Sequence, residues 1–146
     1  MKLAIFGATA LMLTIYWATP ATAGNQAQIE QVIATKRCKQ CDLRGANLSG
    51  LNLAGAGLAG ANLTGANLKN TNLAGANLKE ASLRGTDLRG ANLENANLLH
   101  ADLGYANLRG ANLIGASLNG ANLMGVSLRH VNLNQVSLDG VTGLEQ

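Results

Sequence analysis

Charged, aromatic and proline residues are scarce in this sequence. Only 13% of the 146 residues are charged, 3% are aromatic and one is proline. Chains of such restricted composition are disordered when they have too few apolar residues to form a core, but 47% of these residues are apolar, which argues against disorder. The net charge of +3 is too small to indicate a nucleic-acid partner, and we expect none.

The residue sets typical of enzymes are also missing. The sequence contains no Ser–His–Asp arrangement, no phosphate-binding glycine loop and no cluster of metal ligands. Glu80, Glu94 and Asp102 form no pair spaced for acid–base catalysis. We therefore expect a non-enzymatic protein without catalytic residues, cofactor or metal ion.

The N-terminus has the organisation of a secretory signal peptide. Lys2 supplies a positive charge, residues 3–17 are mostly apolar, and Pro20 precedes the small-residue cleavage sequence Ala21-Thr22-Ala23. An uncleaved membrane anchor is the alternative, but about 15 apolar residues fall short of the roughly 20 that a membrane span needs. We expect residues 1–23 to be removed on export, which leaves no membrane span in the mature chain.

Leucine recurs at every fifth position from Leu43 to Leu138, which makes 20 consecutive repeats. Two residues before the leucine stands Ala in 13 repeats, and one residue before it stands Asn in 12. Gly stands two residues after it in 13 repeats, where His100, Tyr105 and His130 are exceptions that we expect to be exposed. The position directly after the leucine is free.

A period of five fits neither an α-helix nor a straight strand. Five residues rotate a helix by about 140°, so the leucines would wind around the whole surface. Strand side chains alternate between faces, so an odd period would turn the leucine over at each repeat. The chain must instead turn once per repeat, at the glycine, and stack its turns at strand spacing. The sequence thus predicts an all-β solenoid with leucines inside, among them Leu43, Leu63, Leu83, Leu103 and Leu123.

The repeat resembles the A(D/N)LxG motif of the pentapeptide-repeat family. Ala46-Asn47-Leu48-Ser49-Gly50 and Ala111-Asn112-Leu113-Ile114-Gly115 match it in full. The resemblance implies a right-handed quadrilateral β-helix with four pentapeptides per coil, and hence about five coils over residues 41–142, followed by a short tail at 143–146. Exported members with an N-terminal helix and a C-x-x-C sequence resemble cyanobacterial proteins, for which the compartment is the periplasm or the thylakoid lumen.

The two ends of the repeat array differ. Residues 24–40 precede it, and within them Ile29, Val32 and Ile33 have the spacing of one apolar helix stripe, which predicts a short capping helix and a link. No corresponding segment follows the array. In the last coil the small inward residues become Val126, Val131, Val136 and Val141. This change reflects either drift among β-branched residues or an end that a second copy of the chain covers in a homodimer.

Cys38 and Cys41 are the two cysteines of the sequence and form a C-x-x-C pair before the first repeat. In an exported chain with two cysteines, a disulfide that joins the cap to the first coil is the first interpretation. Free or metal-bound thiols and a thiol redox site are the alternatives. The sequence around the pair does not resemble the βαβ setting of thioredoxin-like redox motifs.

Residues 20 apart lie directly above one another if four repeats form a coil. The free positions then place four basic residues in one row: Lys69, Arg89, Arg109 and Arg129, which we call the basic column. Like charges stacked at strand spacing repel one another, so the column suggests an anionic partner. The alternative is a solvated face that keeps the protein soluble, and Asp87 beside Arg89 reduces the charge.

Three functions are compatible with these features. The first is an exported structural or protein-interaction module of unknown partner that binds an anionic surface through the basic column. The second is a thiol redox protein. The third is DNA mimicry, because one branch of the family resembles a B-DNA rod and blocks gyrase. That branch is acidic, longer and cytoplasmic, whereas this chain is basic and carries a signal sequence, so we favour the interaction module.

Overall fold

The computed structural model describes residues 23–144, so the predicted signal peptide lies outside the described residues except for Ala23. One helix, α1 (Ala23–Thr35), is followed by stacked turns of chain. Within residues 23–144 every strand contact is a single-residue parallel bridge that joins a residue to the one 20 positions later, from Arg37–Gly57 to Asn122–Thr142. Four pentapeptides therefore complete one coil. We number the coils 1 to 5, beginning at residues 41, 61, 81, 101 and 121.

Each corner of a coil is a tight turn that begins at the leucine. In the first, the carbonyl of Leu43 accepts a hydrogen bond from the amide of Ala46 at 3.1 Å. Gly45, the third residue of this turn, has φ of 63°, in the left-handed region that a type II turn requires at that position. Glycine is therefore the commonest residue there, since it has no Cβ to make this conformation costly.

The asparagine before each leucine belongs to the fold. The Oδ1 atom of Asn67, for example, accepts a hydrogen bond from the amide of Lys69 at 3.1 Å. Equivalent bonds, accepted by the side-chain oxygen of Asn or Asp, recur along the array, and each fixes the start of a turn. A row of asparagines along the surface is thus explained by backbone geometry and is not by itself a binding site.

Leucine and alanine fill the interior, as the repeat predicts. Each leucine of the repeat from Leu43 to Leu123 is no more than 1% exposed, and the alanines two residues earlier are buried beside them. Thr71 and Thr86 replace alanine and are fully buried, yet their hydroxyls donate to the carbonyls of Leu48 and Leu83 at 2.8 and 2.7 Å. Both polar groups are satisfied, so the core tolerates them.

The N-terminal end of the stack is covered by α1, in the segment for which the sequence predicts a capping helix. Ile29 and Val32 are 3% and 0% exposed and join the leucine core, and Ile33 packs partly against it. The side-chain amide of Asn25 donates to the carbonyl of Arg44 at 2.8 Å, which ties the helix to the first coil. The apolar stripe of α1 thus closes the core at this end.

The bridge ladder begins before residue 41. Arg37 is bridged to Gly57, and the amides of Cys38 and Gln40 donate to coil 1 at 2.8 and 2.9 Å. Cys38, which is 0% exposed, takes the place of the leucine, and Gln40 takes the corner with φ of 57°. Residues 36–40 therefore form one further repeat where a link is predicted. Cys38 and Cys41 are bonded to each other, with their Cα atoms 5.3 Å apart.

The C-terminal end has no cover among the described residues. After Leu123, the inward side chains of coil 5 are only partly buried: Val126, Leu128, Val131, Leu133, Val136 and Val141. Leu138 is 38% exposed and Leu144 is 43% exposed. The last coil thus presents an apolar surface along the axis of the stack.

Candidate functional site

The structure brings the basic column together. Lys69, Arg89, Arg109 and Arg129 each follow the leucine of a repeat on the same side of coils 2 to 5. The amide of Asn70 donates to the carbonyl of Arg89 at 2.9 Å, and the amide of Gly90 donates to the carbonyl of Arg109 at 3.1 Å, so these residues are in register. Asn107 and Ser127 continue the register to coil 5. Neighbouring members are therefore separated by one strand spacing of about 4.8 Å.

The positive charge is unevenly distributed along this column. Arg89 forms a two-point ion pair with Asp87, with Nη2–Oδ2 at 2.6 Å and Nε–Oδ1 at 2.8 Å. The hydrogen bond from Arg89 lowers the pKa of Asp87, and partial burial opposes this effect. Among the described residues, Arg109 and Arg129 form no ion pair. Lys69 also forms no ion pair within that part of the chain, although its charge helps to lower the pKa of Asp87. Two of the three unpaired charges therefore lie in the C-terminal half of the column.

Arginines on another face of the solenoid are matched with acidic groups. Arg44 pairs with Asp42 at 2.6 Å, in the same two-point geometry as Arg89 with Asp87. Arg84 lies 3.5 Å from Asp102 and stacks over the ring of Tyr105, with its Cζ atom 5.4 Å from the ring centre. Most of the charge on that face is thus compensated within the protein, in contrast to Arg109 and Arg129.

Two residues that depart from the glycine of the repeat, Tyr105 and His130, lie beside the unpaired arginines. Tyr105, which is 58% exposed, and His130 replace glycine at corners of coils 4 and 5, with φ of 60° and 59°. Together with Arg109 and Arg129 they line a cleft of about 450 Å³ between coils 4 and 5. Sequence reasoning treats these corners as isolated exposed residues. The 20-residue register places Tyr105 next to Gly125 on the following coil, and this register is the signal that could have identified the cleft.

The remaining features considered from the sequence are the cysteine pair, a metal site and a membrane span. Cys38 is 0% exposed and Cys41 is 8% exposed, so the bonded pair is sheltered from solvent. Residues 23–144 contain no group of three or more His, Cys, Asp or Glu side chains arranged to hold a metal ion. Over the same range, no helix has the length and apolar composition needed to cross a membrane.

Comparison with known families agrees with the geometry of the coils. The model of the family "Pentapeptide repeats" matches residues 41–79, 71–107 and 106–142. The chain belongs to the pentapeptide repeat family. Members of this family fold as right-handed quadrilateral β-helices and are generally structural modules without enzymatic activity. No curated protein matches the sequence closely enough to count as a relative.

Several solved pentapeptide repeat proteins are similar to this chain. One from the thylakoid lumen of Arabidopsis thaliana is 32% identical over 68% of this chain and 73% of its own, with a TM-score of 0.53. One from Nostoc PCC 7120 is 30% identical over 77% of this chain and 93% of its own, with a TM-score of 0.52. The plasmid-mediated fluoroquinolone resistance protein QnrB1 is 18% identical over 72% of this chain and 64% of its own, with a TM-score of 0.51, and shares the fold alone.

Proposed function

We propose that this chain is an exported, non-catalytic interaction module, built on a right-handed quadrilateral β-helix of five coils, whose basic column binds an acidic surface of a partner protein. The observation that carries the proposal is the alignment of Arg109 and Arg129 on successive coils without an acidic partner among residues 23–144. Such neighbours repel by up to about 1 kcal/mol before screening. An acidic partner would remove this repulsion, whereas the paired arginines Arg44 and Arg84 have less to gain.

Export is the second part of the proposal. Removal of residues 1–23 would leave a mature chain with the cap at 24–40, the repeats at 41–142 and the tail at 143–146. The similarity to a protein of the thylakoid lumen supports an exported location, and the periplasm is the alternative compartment. The intact mass of the protein isolated from either compartment tests this: a chain that begins at Gly24 supports it, and one that retains Met1 contradicts it.

The cysteine pair fits a structural role in the exported protein. Cys38 occupies a leucine position in the core and Cys41 an alanine position, so their bond joins the first repeat to coil 1 from within. Redox-active thiols are generally accessible to a second thiol, whereas these two are sheltered. Burial therefore favours the interpretation as a disulfide that stabilises the capped end, and argues against a thiol redox site.

The uncovered end of coil 5 is suited to a second copy of this chain. Exposed contiguous apolar surface commonly marks an interface, and here it consists of the valines at the inward positions. Two copies related by a twofold axis would place the same apolar end against itself. In analytical ultracentrifugation we expect a dimer that Val131→Lys converts to monomer, while Leu99→Lys on a lateral face leaves it intact. A wild-type protein that stays monomeric at high concentration contradicts the dimer.

The acidic partner is tested by capture from the native compartment. Immobilised protein should retain a partner that elutes steeply with salt, because exposed charges are screened over roughly 8 Å at physiological ionic strength. The double variant Arg109→Gln/Arg129→Gln should lose this partner, and Arg44→Gln/Arg84→Gln should keep it. Equal loss from both variants would mean that net charge alone matters, and retention by both would leave the column as a solvated face.

A further inference from the structure

The ladder of hydrogen bonds between coils is weakest at one place between residues 36 and 142. Each repeat elsewhere joins the next coil through three backbone bonds, such as those from the amides of Leu88, Gly90 and Asn107 at 2.9, 3.1 and 2.9 Å. One coil later, the amides of Leu108, Gly110 and Ser127 make no such bond. Asn107 and Ser127 nevertheless remain in parallel register. Coils 4 and 5 therefore stay bridged here, but through weaker hydrogen bonds than at the other repeats.

Two sequence changes coincide at this weak point. Tyr105 is the bulkiest corner residue of the array, and its ring lies so close to Gly125 that a Cβ added there would be 2.6 Å from Cδ1. Val126, the next residue, is the first valine in place of an inward alanine. His100 lies against Gly120 in the same way, yet the ladder stays closed there, so a side chain under a glycine is not sufficient. The weakened bonds thus coincide with a larger ring and a larger inward side chain together.

The polar groups that line the cleft between coils 4 and 5 are mostly hydrogen-bond donors. Arg109 and Arg129 carry positive charges that form no ion pair among the described residues, and Tyr105 and His130 add polar ring groups. Among residues 23–144, no acidic residue lines the cleft. Its volume of about 450 Å³ is in the range that small ligands and side groups occupy.

We infer that the cleft between coils 4 and 5 binds an oxyanion, a carboxylate or phosphate group. Guanidinium groups bind such anions through two parallel hydrogen bonds, and Arg109 and Arg129 bring two of these groups to the cleft. The inference rests on the proposed function in one respect, because the acidic partner would supply this group from a side chain. A free small anion is the other source of the same chemistry.

The test uses 15N-labelled protein in its exported form, titrated with inorganic phosphate and, separately, with a short glutamate-rich peptide. We expect saturable shifts centred on the amides of Leu108, Gly110 and Arg129 with either probe. Arg109→Gln should weaken binding by about tenfold or more, since it removes a charge-assisted pair. Arg44→Gln, which removes a charge on another face, should change it less than about twofold. Shifts spread evenly over all basic residues would overturn the site.

The variant Tyr105→Gly tests whether anion binding needs the cleft itself or only the charges of the two arginines. This variant restores the commonest corner residue at a positive φ and keeps both arginines. We expect slower hydrogen exchange at Leu108 and Gly110 and loss of phosphate binding. Unchanged phosphate binding would contradict the inference. If phosphate binds in the cleft but the peptide does not bind at all, the anion site is supported and the acidic partner is contradicted. If the peptide binds equally well to Tyr105→Gly, the acidic partner is supported and the anion site in the cleft is contradicted.

Discussion

Residues 41–125 and residues 126–142 have the same repeat but very different burial. Each leucine of the repeat from Leu43 to Leu123 is no more than 1% exposed, whereas Leu128 and Leu133 are partly exposed and Leu138 is 38% exposed. The inward position is therefore set by the repeat, but burial depends on a neighbouring coil or cap. In a solenoid each unit is stabilised by its own contacts and those of its neighbours, so an uncovered end is the weakest unit. The unpaired arginines and the cleft both lie towards this end.

The largest effect on stability should come from truncating a repeat leucine to alanine, once in the closed core and once at the C-terminal end. Leu83→Ala creates a cavity in the closed core and should lower the free energy of unfolding by about 2–5 kcal/mol. Leu133→Ala, at the partly exposed end, should lower it by about 1 kcal/mol. Urea unfolding at low protein concentration measures both. Equal losses would show that coil 5 is as well covered in solution as coil 3.

Reduction of the Cys38–Cys41 bond should weaken the capped end alone. The loop it closes is short, so its loss should lower stability by about 2 kcal/mol in the chain-entropy model. Amide hydrogen exchange should accelerate in α1 and residues 36–45 and stay unchanged in coil 5. The double variant Cys38→Ala/Cys41→Ala serves as the control for reductant effects. Two thiols that alkylate without reductant in the exported protein would contradict the bond itself.

Neutralising the unpaired arginines should not destabilise the fold. Arg109→Gln/Arg129→Gln removes a like-charge contact and should leave the free energy of unfolding unchanged or raise it by up to about 1 kcal/mol. Arg44→Gln/Arg84→Gln breaks two exposed ion pairs and should lower it slightly. Thermal melts at low salt compare the two variants. A clear loss of stability in the first would mean that Arg109 or Arg129 has a structural partner.

The smallest effect concerns pH. The hydrogen bond from Arg89 lowers the pKa of Asp87 below its value in the unfolded chain, so this pair stabilises the fold above the unfolded-state pKa. The contribution is lost as the pH falls through the lowered pKa of the folded state. We expect Asp87→Asn to cost roughly 0.5 kcal/mol at neutral pH and nothing in acid. A difference from wild type that persists unchanged in acid would contradict this assignment.

The sequence predicts those features that repeat and misses those that depend on contacts between unlike residues. A period of five is a property of the chain, so it predicts the inward leucines and the corners before any distance is known. The repeat at residues 36–40 is missed because Cys38 and Gln40 replace both residues that define the pattern. Asp87 next to Arg89 is visible in the sequence, whereas Asp102 beside Arg84 requires the 20-residue register. The cleft between coils 4 and 5 involves the contact of the Tyr105 ring with Gly125 on the next coil, which the period of five does not encode.

The central claim is that the position of charge on the basic column, and not the total charge, determines binding. Asp87→Asn and Asp42→Asn raise the net charge equally, and each frees one arginine from the same two-point pair. Only the arginine released by Asp87→Asn, Arg89, lies on the column. The affinity for a glutamate-rich peptide, measured by calorimetry at low salt, should increase severalfold in Asp87→Asn and remain close to wild type in Asp42→Asn. Equal gains in the two variants, or a gain in Asp42→Asn alone, would contradict the account.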